Sequence, residues 1–139
     1  MSRLGNYLAP NRSVADQLRR SPAFAALPLD RRECLSVLRE GEVFELPAGI
    51  EVVSCGDSPA LLVISEGALY DHAGRDWPAG SCLGVTETAE GRPFEGAIST
   101  AAPTLLYRLD AALLDSFRTL CPAVARDLLK SQGEAQAIA

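Results

Sequence analysis

The sequence is poor in the residues from which metal and acid–base sites are built. It has one histidine, His72, and four cysteines in 139 residues. A metal site needs several His, Cys or carboxylate ligands converging on one point, so no metal and no other cofactor is expected. None of Cys34, Cys55, Cys82 and Cys121 forms a C-x-x-C pair. All four fall on segments that read as buried or half buried, where reduced core thiols are expected. No apolar run approaches the length of a membrane span. The first twelve residues carry no apolar stretch of the signal-peptide kind, which makes a cytoplasmic location the expectation. Net positive charge is also missing. The formal charge is −5, whereas a partner of nucleic acid displaces counterions with a basic surface. The pairs Arg19-Arg20 and Arg31-Arg32 have acids close by and read as solvated helix faces. Direct nucleic-acid and membrane partners are therefore not expected.

What is present is an ordinary soluble composition, 47% hydrophobic and 22% charged, in a length suited to one domain. Residues 1–12 read as a flexible N-terminal arm. Residues 13–132 read as one domain, with helices over 13–41, a β-roll over 42–109 and helices over 110–132. Residues 133–139 read as a frayed tail. Ser13 is a helix-cap candidate. Asp30 with Glu33 forms a capping box, and Gly41 ends that helix. The period then shortens. Val43–Leu46, Ile50–Ser54, Leu61–Ser65 and Ala68–His72 read as strands between turns at Pro47-Ala48-Gly49, Gly56–Pro59 and Gly74–Asp76. Glu95–Thr100 and Thr104–Leu109 read as a last strand pair. Asp110 caps a helix with Leu113, Leu114 and Phe117 on one face. Pro122 opens a final helix whose apolar face is Val124, Ala125, Leu128 and Leu129. Short strands with frequent turns indicate an all-β roll.

Several spacings carry a family resemblance. Phe24-x-x-Leu27 with Leu35 opens it. Phe44-x-x-x-Ala48-Gly49, Val53 and Gly56-Asp57 follow, then Leu62-Val63-Ile64-Ser65-Glu66-Gly67. Leu105–Asp110 closes the roll, and Pro122 precedes the last helix. In order and spacing the chain resembles the cyclic-nucleotide-binding domain, of the effector type found in the catabolite activator protein. The resemblance runs from about Pro22 to Leu129. It implies a mainly β fold (α+β), a jelly roll of about eight short strands with flanking helices at both ends.

The run Leu83-Gly84-Val85-Thr86-Glu87-Thr88-Ala89-Glu90-Gly91-Arg92-Pro93-Phe94 resembles that family's phosphate-binding cassette, F-G-E-L-A-L-(I/L)-x-x-x-P-R. Leu83, Gly84 and Pro93 keep the scaffold. Val85 stands where the family has its ribose-binding Glu, and Phe94 where it has its phosphate-binding Arg. Val85 accepts no hydrogen bond and Phe94 pairs with no anion. The resemblance thus implies a degenerate cassette that does not take cAMP or cGMP in the family manner. Two readings remain for the old pocket. Val85 and Phe94 fill it with apolar side chains, or it is retuned for another ligand around Leu83, Gly84, Val85, Thr86, Arg92 and Phe94, with Arg92 replacing the missing Arg.

Other candidates have plainer readings. His72 lies beside Asp71 and Asp76, yet no nucleophile pattern accompanies it, and an exposed loop histidine accounts for it. Trp77 reads as a hairpin aromatic covering the roll. Cys55, beside Gly56-Asp57, reads as part of a turn. The first expectation is a non-catalytic regulatory or protein-interaction module. It would contact another protein, or a second copy of itself, through Leu113, Phe117, Val124, Leu128 and Leu129. The alternative is a small-molecule or nucleotide sensor that uses Arg92. Catabolite activator proteins add a helix-turn-helix after this domain, and no such element is expected from the few residues beyond the last helix.

Overall fold

The structure, a computed structural model, describes residues 4–9, 14, 36–120, 122 and 126. Among the described residues there are eight strands: β1 Glu42–Leu46, β2 Glu51–Val53, β3 Ala60–Glu66, β4 Ala68–Asp71, β5 Asp76–Pro78, β6 Cys82–Leu83, β7 Ile98–Thr100 and β8 Thr104–Asp110. The α-helices include α1 Val85–Glu90 and α2 Ala111–Leu120, and a 3-10 turn spans Gly5–Tyr7. The Ser13 cap, the Asp30–Glu33 box, and Val124, Leu128 and Leu129 lie outside the described residues. Ser36, Val37 and Leu38 are helical, as are Pro122 and Arg126.

The strands form two antiparallel four-stranded sheets, ordered β1-β8-β3-β6 and β2-β7-β4-β5. This is a jelly roll, and its mainly β class with helices outside agrees with the sequence. The expected last strand pair is corrected. β7 pairs with β2 and β4, and β8 pairs with β1 and β3. The turn at Ala101–Pro103 carries the chain from one sheet to the other. β7 is also shorter than expected, because Glu95–Ala97 belong to no strand.

Burial explains why β3 is apolar without alternation. Leu62 and Ile64 point between the sheets, with Phe44, Leu69, Trp77 and Leu106. Leu61 and Val63 point the other way, into a layer with Leu38, Leu114 and Phe117. Successive side chains of a strand alternate faces, and here both faces are covered. The second sheet is covered on one face only. Leu69 is fully buried on β4, and its neighbour Tyr70 is exposed.

Helical residues are tied to the roll by polar bonds as well as packing. The Tyr107 hydroxyl on β8 donates to the Leu38 carbonyl at 2.6 Å. Its ring lies against Gly41, where a Cβ would come within 2.5 Å of the hydroxyl oxygen. Asp110 caps α2, accepting the Leu113 N–H at 2.9 Å, as its sequence position predicts. Residues 4–9 of the arm lie on the edge of β1. Leu4 is buried, Leu8 bridges Phe44, and the Ala9 N–H donates to the Val43 carbonyl at 2.9 Å.

Gly67, between β3 and β4, has φ +93°, and a Cβ there would lie 2.4 Å from the Pro103 carbonyl oxygen. Gly49 has φ +82° with open space around it. Gly67→Ala is expected to cost roughly 1–3 kcal/mol more than Gly49→Ala in urea unfolding. Equal losses would show that the Pro103 contact is not a constraint.

Candidate functional site

The cassette is built as a tight passage from sheet to helix. β6 ends at Leu83, and Gly84 turns the chain at φ +82°. A Cβ on Gly84 would lie 2.0 Å from the Ala60 carbonyl oxygen, so the backbones approach as only glycine allows. Helix α1 follows directly, over Val85–Glu90. Thr88 donates twice to the Gly84 carbonyl, from its N–H at 2.9 Å and its hydroxyl at 2.6 Å. After Gly91, Phe94 is fixed by its backbone. Its N–H donates to the Asp57 carbonyl, and its carbonyl accepts the Gly56 N–H. The Asp57 carboxylate in turn accepts the Ser54 N–H at 2.9 Å. The Gly56-Asp57 turn therefore holds the far end of the cassette.

The two apolar replacements have different fates. Val85 is buried with Cys82, Leu61 and Leu114 on the helix side of the first sheet. Phe94 is buried between the sheets and lines a small open pocket of about 80 Å³. The β4–β5 hairpin supplies one wall with Asp71, His72, Arg75 and Trp77. The cassette and the segment after it supply Leu83, Gly84, Glu87, Phe94, Glu95 and Gly96, with Ile98 behind. Of the six ligand-site residues expected from sequence, Leu83, Gly84 and Phe94 line the pocket, whereas Val85, Thr86 and Arg92 do not. Val85 is drawn into the core by its own apolar surface. Arg92 is held outside by two acids, its Nε on Glu90 and a terminal nitrogen 2.8 Å from Glu95.

The hairpin wall is organised by Asp71. Its Oδ1 accepts the N–H groups of Ala73 at 2.9 Å and Arg75 at 3.0 Å. Its Oδ2 accepts Arg75 Nε at 2.9 Å and the Trp77 indole N–H at 3.0 Å. The Arg75 guanidinium stands 5.2 Å from the Trp77 ring centroid, within cation–π range. Burial alone raises the Asp71 pKa. The Trp77 bond, the Arg75 N–H and charge, and the Ala73 N–H together outweigh it, and the net shift is downward from 3.8. His72 is exposed, and its ring lies against Gly96, where a Cβ would come within 2.2 Å of it. Among the described residues no hydrogen bond joins His72 to Asp71 or Asp76. Trp77 covers the roll, as its hairpin position predicts.

The pocket's charge is unlike a phosphate site. Asp71, Glu87 and Glu95 line it against one guanidinium, Arg75. The Glu87 Oε2 atom is buried and has no hydrogen-bond partner. An unsatisfied buried acceptor costs about 1–3 kcal/mol, more when charged. Small-molecule pockets commonly span roughly 300–1,000 Å³, and this one is smaller, at about 80 Å³.

Among the described residues, no group of three or more His, Cys, Asp or Glu side chains is placed to hold a metal, and no helix is long and apolar enough to cross a membrane. Cys82 is buried, which pushes its thiol up to about 12. Cys55 is exposed, which corrects the expectation that every cysteine is shielded, because it sits at the tip of the turn before Gly56. Cys34 and Cys121 lie outside the described residues. Among the expected interaction residues, Leu113 is partly buried against the core. Phe117 is fully buried and so is no docking residue, because it faces the roll.

Solved structures with the same arrangement include a Geobacter metallireducens protein described as a putative cyclic nucleotide-binding protein. The TM-score is 0.72 at 17% identity, over 88% of this chain and 95% of that one. The fold is that of a cyclic-nucleotide-binding domain. The N-terminal domain of a Streptomyces coelicolor transcriptional regulator matches at TM-score 0.62 and 24% identity, over 88% of this chain and 91% of that one. A Trypanosoma brucei structure matches at TM-score 0.64 and 17% identity, over 90% of this chain and 50% of that one. It is described as the regulatory subunit of a cAMP-independent protein kinase A, in a mutant form bound to cAMP. No protein-family model matches this sequence, and no curated protein matches it. Identities this low carry the fold and leave the ligand to the site's own chemistry.

A folded-state pKa below the unfolded value means that Asp71 stabilises the fold above the ordinary carboxylate range. That contribution is lost as pH falls through the folded value, below 3.8. Asp71→Asn is expected to cost roughly 1.5–3 kcal/mol at neutral pH, mostly through the buried Trp77 bond, since Arg75 is half exposed. The difference from wild type in urea unfolding should shrink as pH drops below 3.8. A difference unchanged into strong acid would contradict the charge-based account.

Proposed function

We propose that this chain is a non-catalytic regulatory module built on a degenerate cyclic-nucleotide-binding domain, and that it does not take cAMP or cGMP in the family manner. The observation that carries this reading is the exchange of polarity in the cassette. The positions of the ribose-binding Glu and phosphate-binding Arg hold Val85 and Phe94, which are 3% and 5% exposed. Each lost charge-assisted hydrogen bond removes roughly 1.5–3 kcal/mol. Glu87 and Glu95 add repulsion to that loss. Arg92, the one base within the cassette, is occupied by Glu90 and Glu95, which disfavours its use as a replacement.

The Trypanosoma brucei neighbour supports the same logic. It is described as cAMP-independent, and the form bound to cAMP carries a Glu-to-Ala, a Thr-to-Arg and a Val-to-Ala substitution. This cassette keeps an acid at Glu87 and has no arginine at Phe94.

The regulatory output in this reading is contact with another protein or a second copy through the C-terminal helices. Leu120, at the end of α2, is an exposed large apolar residue. Val124, Leu128 and Leu129 follow it in sequence with helical spacing. A module of this kind needs no acid–base or nucleophilic machinery.

Isothermal titration with cAMP and cGMP tests the pocket. The wild type is expected to give no binding heat into the millimolar range, and Arg92→Ala should behave alike. Micromolar binding that Arg92→Ala abolishes would overturn the reading.

A further inference from the structure

Residues 4–9 are held at one deep point and lie otherwise on the surface. Leu4 is buried in the core between the sheets, in the cluster that contains Phe44, Leu46 and Leu106. Of the next five residues, Gly5, Asn6 and Leu8 are exposed, and Tyr7 and Ala9 are half-buried. The segment makes a 3-10 turn of its own, closed by the Tyr7 N–H on the Leu4 carbonyl at 2.9 Å. It meets β1 through the isolated Leu8–Phe44 bridge and the Ala9 N–H bond to the Val43 carbonyl. β1 is an edge strand, on the far side of its sheet from β6 and the cassette. An edge of this kind is a template for another segment of chain, and here the arm lies on it. The charges match as well. Residues 1–12 carry two arginines and no acid, while Glu42 and Glu45 of β1 are exposed.

We propose that the β1 edge and the socket of Leu4 form a docking groove for a short basic segment of another polypeptide, anchored by a leucine, and that residues 4–9 are a releasable strap filling it in cis. Strand addition at a sheet edge supplies backbone hydrogen bonds, and a pocket for one side chain supplies specificity. The arm uses both. Local opening is drawn from segments with few buried apolar contacts, and in this one the buried side chain is Leu4. Lifting the strap exposes the edge and an apolar socket together, which a segment of the same chemistry refills. The groove stands at the opposite edge of the sheet from the cassette, so the inference does not depend on what the pocket binds.

The test uses the full chain, as wild type and as Leu4→Ser, and a fluorescein-labelled synthetic peptide of residues 2–10. Anisotropy titration is expected to show saturable binding of the peptide to Leu4→Ser, checked for folding by circular dichroism. Binding to the wild type should be roughly tenfold weaker or more, because its own arm competes at high effective concentration. A peptide carrying Leu4→Ser should not bind, and one carrying Arg3→Glu should bind several-fold less. No binding to folded Leu4→Ser would overturn the proposal. So would equal binding to the wild type, or equal binding of either altered peptide. Should Leu4→Ser fail to fold, amide exchange in the wild type decides the matter. The strap requires the Ala9 amide to exchange through a local opening, roughly tenfold faster or more than the amides of the central strand β8. Exchange of Ala9 in one step with β8 would make the arm part of the cooperative core and end the proposal.

Discussion

The carboxylate of Asp71 is the point on which the functional face depends. It lies at the end of β4, and its four donors come from the next six residues: two backbone N–H groups, a guanidinium and an indole. A buried carboxylate is costly unless its lone pairs are filled. Here they are filled by the turn it starts and by the strand that returns. The bond to Trp77 orients the indole over the interior between the sheets, where Leu69 and Phe94 also lie. The bond to Arg75 parks the guanidinium beside that ring. One acid thus shapes the hairpin, the roof of the core and one wall of the pocket.

The opposite wall is governed by steric fit. Gly84 passes within touching distance of Ala60, and the Gly56-Asp57 turn clamps the Phe94 backbone. In the proposed reading, the scaffold of a phosphate-binding cassette is kept without its charges. Val85 has left the pocket for the helix-side core, and Phe94 occupies part of the space. What remains is small, open and acidic. In the proposed reading, a site with this polarity disfavours anions. The few kcal/mol involved in each charged contact correspond to one or two orders of magnitude in affinity.

Features set by local chemistry were legible in the sequence. The Gly56-Asp57 turn and the Asp110 cap each depend on a few neighbouring residues. The run Leu61–Ser65 was legible as a strand, and the structure shows that both its faces are covered. Features that depend on packing through space were not legible. β7 and β8 look like a hairpin along the chain, yet they belong to different sheets. Arg92 lies within the cassette in sequence, but its acidic neighbours Glu90 and Glu95 hold it outside the pocket. Asp71 and Arg75 enter the site because the hairpin folds over it. The signal that could have pointed to them is the Asp71–Trp77 spacing, which places a carboxylate across a tight turn from an indole. Phe117 shares a helix face with Leu113, but only the packed structure shows that this face looks inward.

The most direct test of this account is hydrogen–deuterium exchange at the single indole N–H, followed by NMR at neutral pH. If the Asp71–Trp77 bond organises the hairpin and the pocket wall, that proton exchanges slowly in the wild type, together with the Arg75 and Ala73 amides, and all three lose protection in Asp71→Asn. An indole proton that exchanges at the rate of an unstructured peptide would contradict the central claim, because the wall of the pocket would then have no fixed anchor.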